Sequence, residues 1–111
     1  MNIIEKYQLP ATITVCIVKD KGLYVASLQE YAGCMTEADD MFDLFSNITD
    51  MVLTYFNVSR KDALNSNLYY LPKLEQFQKK KKQIQKKNVP LEFYYFHSLN
   101  NGNSNLWSKT N

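Results

Sequence analysis

The chain has 111 residues, 45% of them hydrophobic and 14% aromatic, and a formal net charge of +2. This length allows one ordinary domain, and the apolar content argues against a largely disordered chain. Two cysteines are too few for a disulfide scaffold, residues 1–9 lack the apolar run of a secretory signal, and no apolar stretch approaches the length of a membrane span. The sequence therefore predicts a globular cytoplasmic protein.

The first predicted elements are strands. Residues 11–18 are β-branched and partly alternating, residues 23–28 have the same character, and a polar turn ending in Gly22 separates them. This pattern predicts an antiparallel hairpin. Residues 34–36 are a candidate for a short third strand.

A long amphipathic helix is predicted next. Asp40 is a good N-cap, Asp43 three residues later resembles a capping box, and the helix is expected to end near Asn57. Apolar residues recur at spacings of three and four, as on one helical face. The predicted buried face comprises Met41, Phe45, Ile48, Val52 and Tyr55, widened by Leu44, Met51 and Phe56.

The second half is less regular. Residues 58–67 predict a polar connection, and the apolar residues 68–71 before Pro72 have no assigned structure. Residues 73–88 predict a basic helix, and residues 90–96 predict a strand because they are rich in aromatic residues.

Together these elements predict an α+β fold. It contains an antiparallel sheet in a β-β-β-α core, a covering helix, a second basic helix and a C-terminal strand. The predicted domain is residues 1–98 with its core in residues 11–57, and residues 99–111, rich in Asn, Ser and Thr, are predicted to be a flexible tail.

Five residues resemble the motif of the HicB-like antitoxin family: Gly33, Cys34, Thr36, Asp39 and Asn47. The family pattern has a Gly–Cys pair, a Thr two residues on, a Gly–Asp pair, and an Asn inside the following helix. This chain has Ala38 where the family has Gly, and Asp40 where the family has a Thr as N-cap. The resemblance covers residues 11–57.

The resemblance implies a partial RNase H-like fold without nuclease chemistry. It also implies a protein that binds and sterically blocks a small, RNA-cleaving HicA-type toxin. Many family members carry a C-terminal DNA-binding segment of the helix-turn-helix or ribbon-helix-helix type, and residues 58–111 match neither.

The acidic stretch of residues 37–50 is the better candidate for contact with a basic toxin, because like charges repel. The predicted partner face comprises Glu37, Asp40, Asp43 and Asp50. Asp39, Asp40 and Asp43 also crowd the predicted helix start. Capping and the helix dipole account for them better than a metal site does.

Six lysines form the most distinctive local feature: Lys79, Lys80, Lys81, Lys82, Lys86 and Lys87. Two interpretations remain open. The lysines form a solvated helix face, or they contact the phosphates of a nucleic acid while nearby tyrosines stack on bases. The candidate stacking residues are Tyr69, Tyr70, Tyr94 and Tyr95.

The aromatic segment 91–96 also has two interpretations. It completes the sheet as a fourth strand, or it forms an edge that pairs with another chain, as in a homodimer or a captured toxin. A homo-oligomeric protein of unknown function is accordingly a third hypothesis beside the antitoxin and the nucleic-acid-binding module.

The residues expected for catalysis or cofactor binding are missing from the sequence pattern. His97 is the single histidine, and neither Cys16 nor Cys34 has a sequence neighbour that would activate its thiol. No phosphate-binding loop, dinucleotide fingerprint or nucleophile elbow is present. The sequence predicts a binding protein that is not an enzyme and needs no metal or cofactor.

Overall fold

A computed structural model describes residues 2–97 and contains five strands and four helices within that range. The predicted flexible tail lies outside the described residues. The elements in chain order are α1 (Ile3–Tyr7), β1 (Thr12–Asp20), β2 (Leu23–Leu28), β3 (Met35–Ala38), α2 (Met41–Tyr55), α3 (Arg60–Asn65), β4 (Leu68–Pro72), α4 (Leu74–Ile84) and β5 (Val89–His97).

The five strands form one sheet in the order β3-β2-β1-β5-β4, and every neighbouring pair is antiparallel. The predicted α+β class with an antiparallel sheet is therefore confirmed. β5 lies inside the sheet, paired with β1 on one side and β4 on the other. The hypothesis that residues 91–96 form an edge strand for another chain is wrong, because β5 lies between β1, which pairs with residues 89–94, and β4, which pairs with residues 93–97.

The hairpin between β1 and β2 has a two-residue turn. Lys21 and Gly22 both have positive φ, at 53° and 84°, between the paired residues Asp20 and Leu23. Two positive φ values match a type I′ turn, whose twist suits antiparallel strands.

Helix α2 begins and ends with local hydrogen bonds. The Asp40 carboxylate accepts from the Asp43 N–H at 2.9 Å, which confirms the predicted N-cap. At the other end the Val58 N–H donates to the Leu53 oxygen, while Asn57 has a φ of 58°. These features form a Schellman motif, which explains why the helix stops at Tyr55.

The buried face of α2 differs from the predicted one. Leu53 and Thr49 are buried, whereas Tyr55 is 47% exposed and Met51 is half-buried. The spacing of three and four was correct. The buried face is shifted from the predicted one. Because α2 contacts both edge strands, β3 and β4, it buries a wider arc of its surface.

Three elements were not predicted: α1, α3 and β4. The residues 58–67 taken for a polar connection contain α3, whose start is capped by the Ser59 hydroxyl accepting from the Asp62 N–H at 3.1 Å. β4 alternates buried and exposed residues as a strand with one covered face does. The basic helix is shorter than the predicted range 73–88, since α4 spans Leu74–Ile84.

The core lies between one face of the sheet and the helices. α2 contacts β2, β3 and β4, and α4 contacts β1 and β5. Side chains that alternate along the strands fill this covered face: Ile13, Val15, Ile17, Ala26, Leu28, Leu68, Tyr70, Val89, Leu91 and Phe93. The opposite, open face of the sheet carries the intervening residues.

Candidate functional site

The five residues of the HicB-like motif lie in the turn before β3, in β3, in the connection from β3 to α2 and in the first half of α2. Gly33 has a φ of 85°, a conformation that side chains disfavour. The Cys34 backbone oxygen accepts from the Leu28 N–H at 3.0 Å. These two residues turn the chain into β3 and start its pairing with β2.

Asn47 ties α2 to this edge of the sheet. Its side-chain Nδ2 donates to the backbone oxygen of Glu37 at 3.1 Å. Hydrogen-bonding directions alternate along an antiparallel strand, and the Cys34 oxygen points to β2. The Glu37 oxygen therefore points away from β2, so Asn47 occupies an acceptor on the free edge of β3.

Thr49 attaches α2 by a hydrogen bond to β4, at the opposite edge of the sheet. Its hydroxyl accepts from the buried Tyr70 N–H at 3.0 Å and donates to the Phe45 oxygen at 3.1 Å. The Leu68 N–H donates to the Ser66 hydroxyl at 3.2 Å, and Pro72 has no N–H. The outward donors of β4 are thus all occupied or missing, which protects this edge from pairing with another strand.

A groove of about 520 Å³ runs between β3 and α2. Four of the five motif residues line it, and Asp39 does not. The groove is lined by Gly33, Cys34, Met35, Thr36, Asn47, Asp50, Met51, Thr54 and Tyr55. Met35 is 64% exposed and Tyr55 is 47% exposed, so the groove presents apolar surface to solvent.

Asp50 lines this groove, and further acidic residues lie on the two elements that form it. Asp43 and Asp50 lie seven positions apart on the exposed stripe of α2 that also carries Asn47, and Glu37 is exposed on β3. Asp40, also predicted for the partner face, serves as the N-cap of α2. The negative charge of Asp40, and less strongly that of Asp39, raises the pKa of the Asp43 carboxyl above its usual value.

The described residues contain no group of three or more His, Cys, Asp or Glu side chains placed to hold a metal ion. Cys16 is half-buried on the open face of the sheet, where its Sγ lies 3.8 Å from the Gln29 Oε1. Cys34 is also half-buried.

The lysine run lies on the outer side of α4. Phe77 and Ile84 face the core. Five of the six lysines are exposed: Lys79, Lys81, Lys82, Lys86 and Lys87. The sixth, Lys80, donates its Nζ to the Pro90 oxygen at 3.1 Å. Within residues 2–97 the only ion pair joins Lys6 to Asp62, so none of these lysines is neutralised by a carboxylate there.

The four tyrosines proposed as stacking residues separate into two pairs. Tyr70 is buried and donates its hydroxyl to the Pro10 oxygen at 2.7 Å, and Tyr95 packs against the core. Tyr69 and Tyr94 lie on the open face, because neighbouring strand residues point to opposite faces. They are accompanied there by Phe96 and Lys73, which the sequence pattern did not single out.

Across the described range, no helix is both long and apolar enough to cross a membrane. Comparison of the chain with protein-family models, with curated protein sequences and with solved structures gives no match in any of the three. The HicB-like assignment stays a prediction that rests on the motif within residues 11–57.

Proposed function

We propose that the protein is a HicB-like inhibitor, or an orphan relative, that binds a basic protein partner through the groove between β3 and α2. The partner expected from the resemblance is a small RNA-cleaving toxin of the HicA type. The mechanism is steric, because the bound protein covers the RNA-binding face of its partner.

The observation that carries this proposal is the one-sided charge around the groove. Residues 22–59 contain six acids and no lysine, arginine or histidine. Asp50 is exposed and lines the groove, Glu37 is exposed on β3, and neither forms an ion pair within the described part of the chain. A basic partner would gain attraction at long range and apolar contact with Met35 and Tyr55 at short range.

Charge reversal tests the proposal. In affinity capture from the native cell extract at low salt, the natural chain is expected to retain a small basic protein with RNA-cleaving activity. Glu37→Lys combined with Asp50→Lys is expected to abolish this capture, because both side chains are exposed and neither caps a helix. The purified complex should cleave RNA more slowly than the partner alone.

The matched control changes charge on the other side of the molecule. Lys81→Gln combined with Lys82→Gln removes two exposed charges from α4 and is expected to leave capture unchanged. Capture that survives the charge reversal, or a captured protein that is acidic, would rule out the proposed groove.

A further inference from the structure

Three aromatic side chains lie side by side on the open face of the sheet, and we call Tyr69, Tyr94 and Phe96 the open-face aromatic cluster. Tyr69 on β4 is the direct cross-strand neighbour of Phe96 on β5. Tyr94 precedes Phe96 by two residues, so the two rings emerge on the same face about 7 Å apart. Tyr69 is 45% exposed, and the other two are half-buried.

No helix of the described range packs over this cluster. The core includes Tyr70 and Phe93, with Tyr95 packed against it, and these residues alternate with the cluster along the same two strands. The three rings take no part in the core or in the layer packed against it. Tyr69 is therefore open to solvent, and Tyr94 and Phe96 are partly open to it.

Positive charge adjoins the cluster on one side. The Nζ of Lys73 lies 4.9 Å from the centre of the Tyr94 ring. Lys73 stands just before α4, and residues 73–87 hold seven lysines against a single acid, Glu75. Lys80 reaches the Pro90 oxygen on the part of β5 that extends beyond β4. Lys73 therefore places a positive charge at the edge of the aromatic cluster.

We propose that the open-face aromatic cluster and Lys73 bind single-stranded nucleic acid. Exposed aromatic rings on an antiparallel sheet stack on unpaired bases, whereas the bases of a duplex are already stacked and out of reach. Lys73 supplies the charge that pairs with a phosphate beside the base on Tyr94. Every base has a flat face, so recognition depends little on sequence.

The charges of the open face favour this ligand over a second copy of the chain. Glu92 is exposed on the same face, two residues before Tyr94. Packing two such faces together would bury this carboxylate, and a buried carboxylate without a partner is costly. A single strand that runs from Tyr94 toward Lys73 leaves Glu92 in water and keeps its phosphates away from this acid.

Fluorescence anisotropy with a fluorescein-labelled twelve-nucleotide oligouridine tests the proposal on the full chain. Tyr94→Ala and Tyr69→Ala are each expected to weaken binding by roughly tenfold, the loss typical of one stacked base. Phe96→Leu keeps the apolar contact and removes the ring, so it is expected to weaken binding without unfolding the sheet. Lys73→Gln should lower the slope of affinity against salt by about one counterion.

Tyr55→Ala is the matched control, because Tyr55 is 47% exposed on α2, almost the same as Tyr69 at 45% on β4. Its affinity should stay within about twofold of the natural chain. Asp50→Lys tests the partner groove separately and should not reduce oligouridine binding, so failure here is distinct from failure of the proposed antitoxin role. A second readout is crosslinking with 4-thiouridine, which should map to β4 and β5.

Four results would overturn the proposal. The first two are that the chain does not bind oligouridine at low salt, and that it binds a duplex of the same length equally or more tightly. The third is that Tyr94→Ala and Tyr69→Ala leave the affinity for oligouridine unchanged. The fourth is that the chain sediments as a dimer that buries the cluster and dissociates in Tyr94→Ala. An oligothymidine of the same length measures the contribution of the ribose hydroxyl and should bind within about tenfold of oligouridine, because stacking uses the base.

Discussion

On β5, Phe93 and Phe96 stand three residues apart and point to opposite faces of the sheet. Phe93 is fully buried and meets the Phe45 ring edge-to-face at 5.5 Å between centroids. Phe96 is half-buried beside Tyr69 on the open face. The same residue type therefore stabilises the fold on one face and remains accessible on the other, which separates the part of the molecule that folds from the part available for contact.

The largest expected effect is the loss of stability when Phe93, the buried residue of this pair, is truncated. Phe93→Ala leaves a cavity under α2 and should lower the free energy of unfolding by about 3–5 kcal/mol. Phe96→Ala should cost about 1 kcal/mol or less, because the residue loses one cross-strand contact and leaves no cavity. Urea unfolding followed by circular dichroism measures both. Equal losses would show that the open face is covered in solution.

The next effect concerns the hydrogen bond that holds α2 to β4. Thr49→Val keeps the side-chain shape but leaves the buried Tyr70 N–H without an acceptor, which should cost about 1–3 kcal/mol. Thr54→Val on the exposed side of α2 is the control and should change stability by no more than about 0.5 kcal/mol. Amide exchange at Tyr70 should accelerate only in the Thr49 variant, and unchanged exchange would contradict the assigned bond.

A smaller effect is expected at the start of α2. Asp40→Ala removes the N-cap and should cost about 1 kcal/mol. It also removes the charge that most strongly raises the pKa of Asp43, so that pKa should fall toward its usual range. Carbon-detected NMR titration of the Asp43 carboxyl measures this shift. Asp50→Ala, an exposed change in the middle of the helix, should leave both the stability and the Asp43 pKa nearly unaltered.

Local chemistry in the sequence was sufficient to predict the first half of the fold. The hairpin, the Asp40 cap and the spacing of apolar residues in α2 each depend on neighbours within a few positions. These signals are the ones that helix and strand formation requires, so they survive in the structure with small changes in the element ends.

The second half was harder, because its elements depend on distant partners. Residues 68–72 become a strand through pairing with β5, and the amide of Tyr70 finds its acceptor 21 positions earlier in the chain. Helix α1, at the start of the chain, was missed for the same reason, because its Lys6 and Tyr7 side chains donate to Asp62, more than 50 positions away. No short-range pattern in the sequence predicts such long-range contacts.

For the candidate sites, too, the sequence predicted the local features and did not predict those that depend on distant contacts. The acids of the partner face were identified from charge alone, and the groove beside them required the approach of α2 to β3. The run Leu-Glu-Phe-Tyr-Tyr-Phe at residues 91–96 is apolar on both faces, so its alternation did not reveal which rings point outward. The pairing with β4 and β1 shows which rings point outward. Of the tyrosines predicted to stack on bases, Tyr70 and Tyr95 point to the core, and Phe96 lies on the open face instead.

The smallest expected effect concerns α1, which attaches to the domain at its surface. The Tyr7 hydroxyl and the Lys6 Nζ both donate to the same Asp62 oxygen, at 2.6 and 2.9 Å. These hydrogen bonds, that from Tyr7 most strongly, hold the pKa of Asp62 below its usual value, and the Asp62 carboxylate raises the pKa of Lys6. The attachment of α1 to the domain is therefore expected to weaken at low pH and again at high pH.

For Asp62, a folded-state pKa below the unfolded one gives a contribution that is present above about pH 4 and lost as the pH falls through the folded-state pKa. For Lys6, a raised pKa gives a contribution present below about pH 10 and lost as the pH rises through the folded-state value. The protection factors of the amides of residues 3–7, which correct for the intrinsic pH dependence of exchange, should thus be highest between these limits and lower at both extremes. Asp62→Asn should remove both limbs, whereas Asp50→Asn should leave them in place. A profile for the natural chain without an acidic limb would show that Asp62 does not hold α1 in solution.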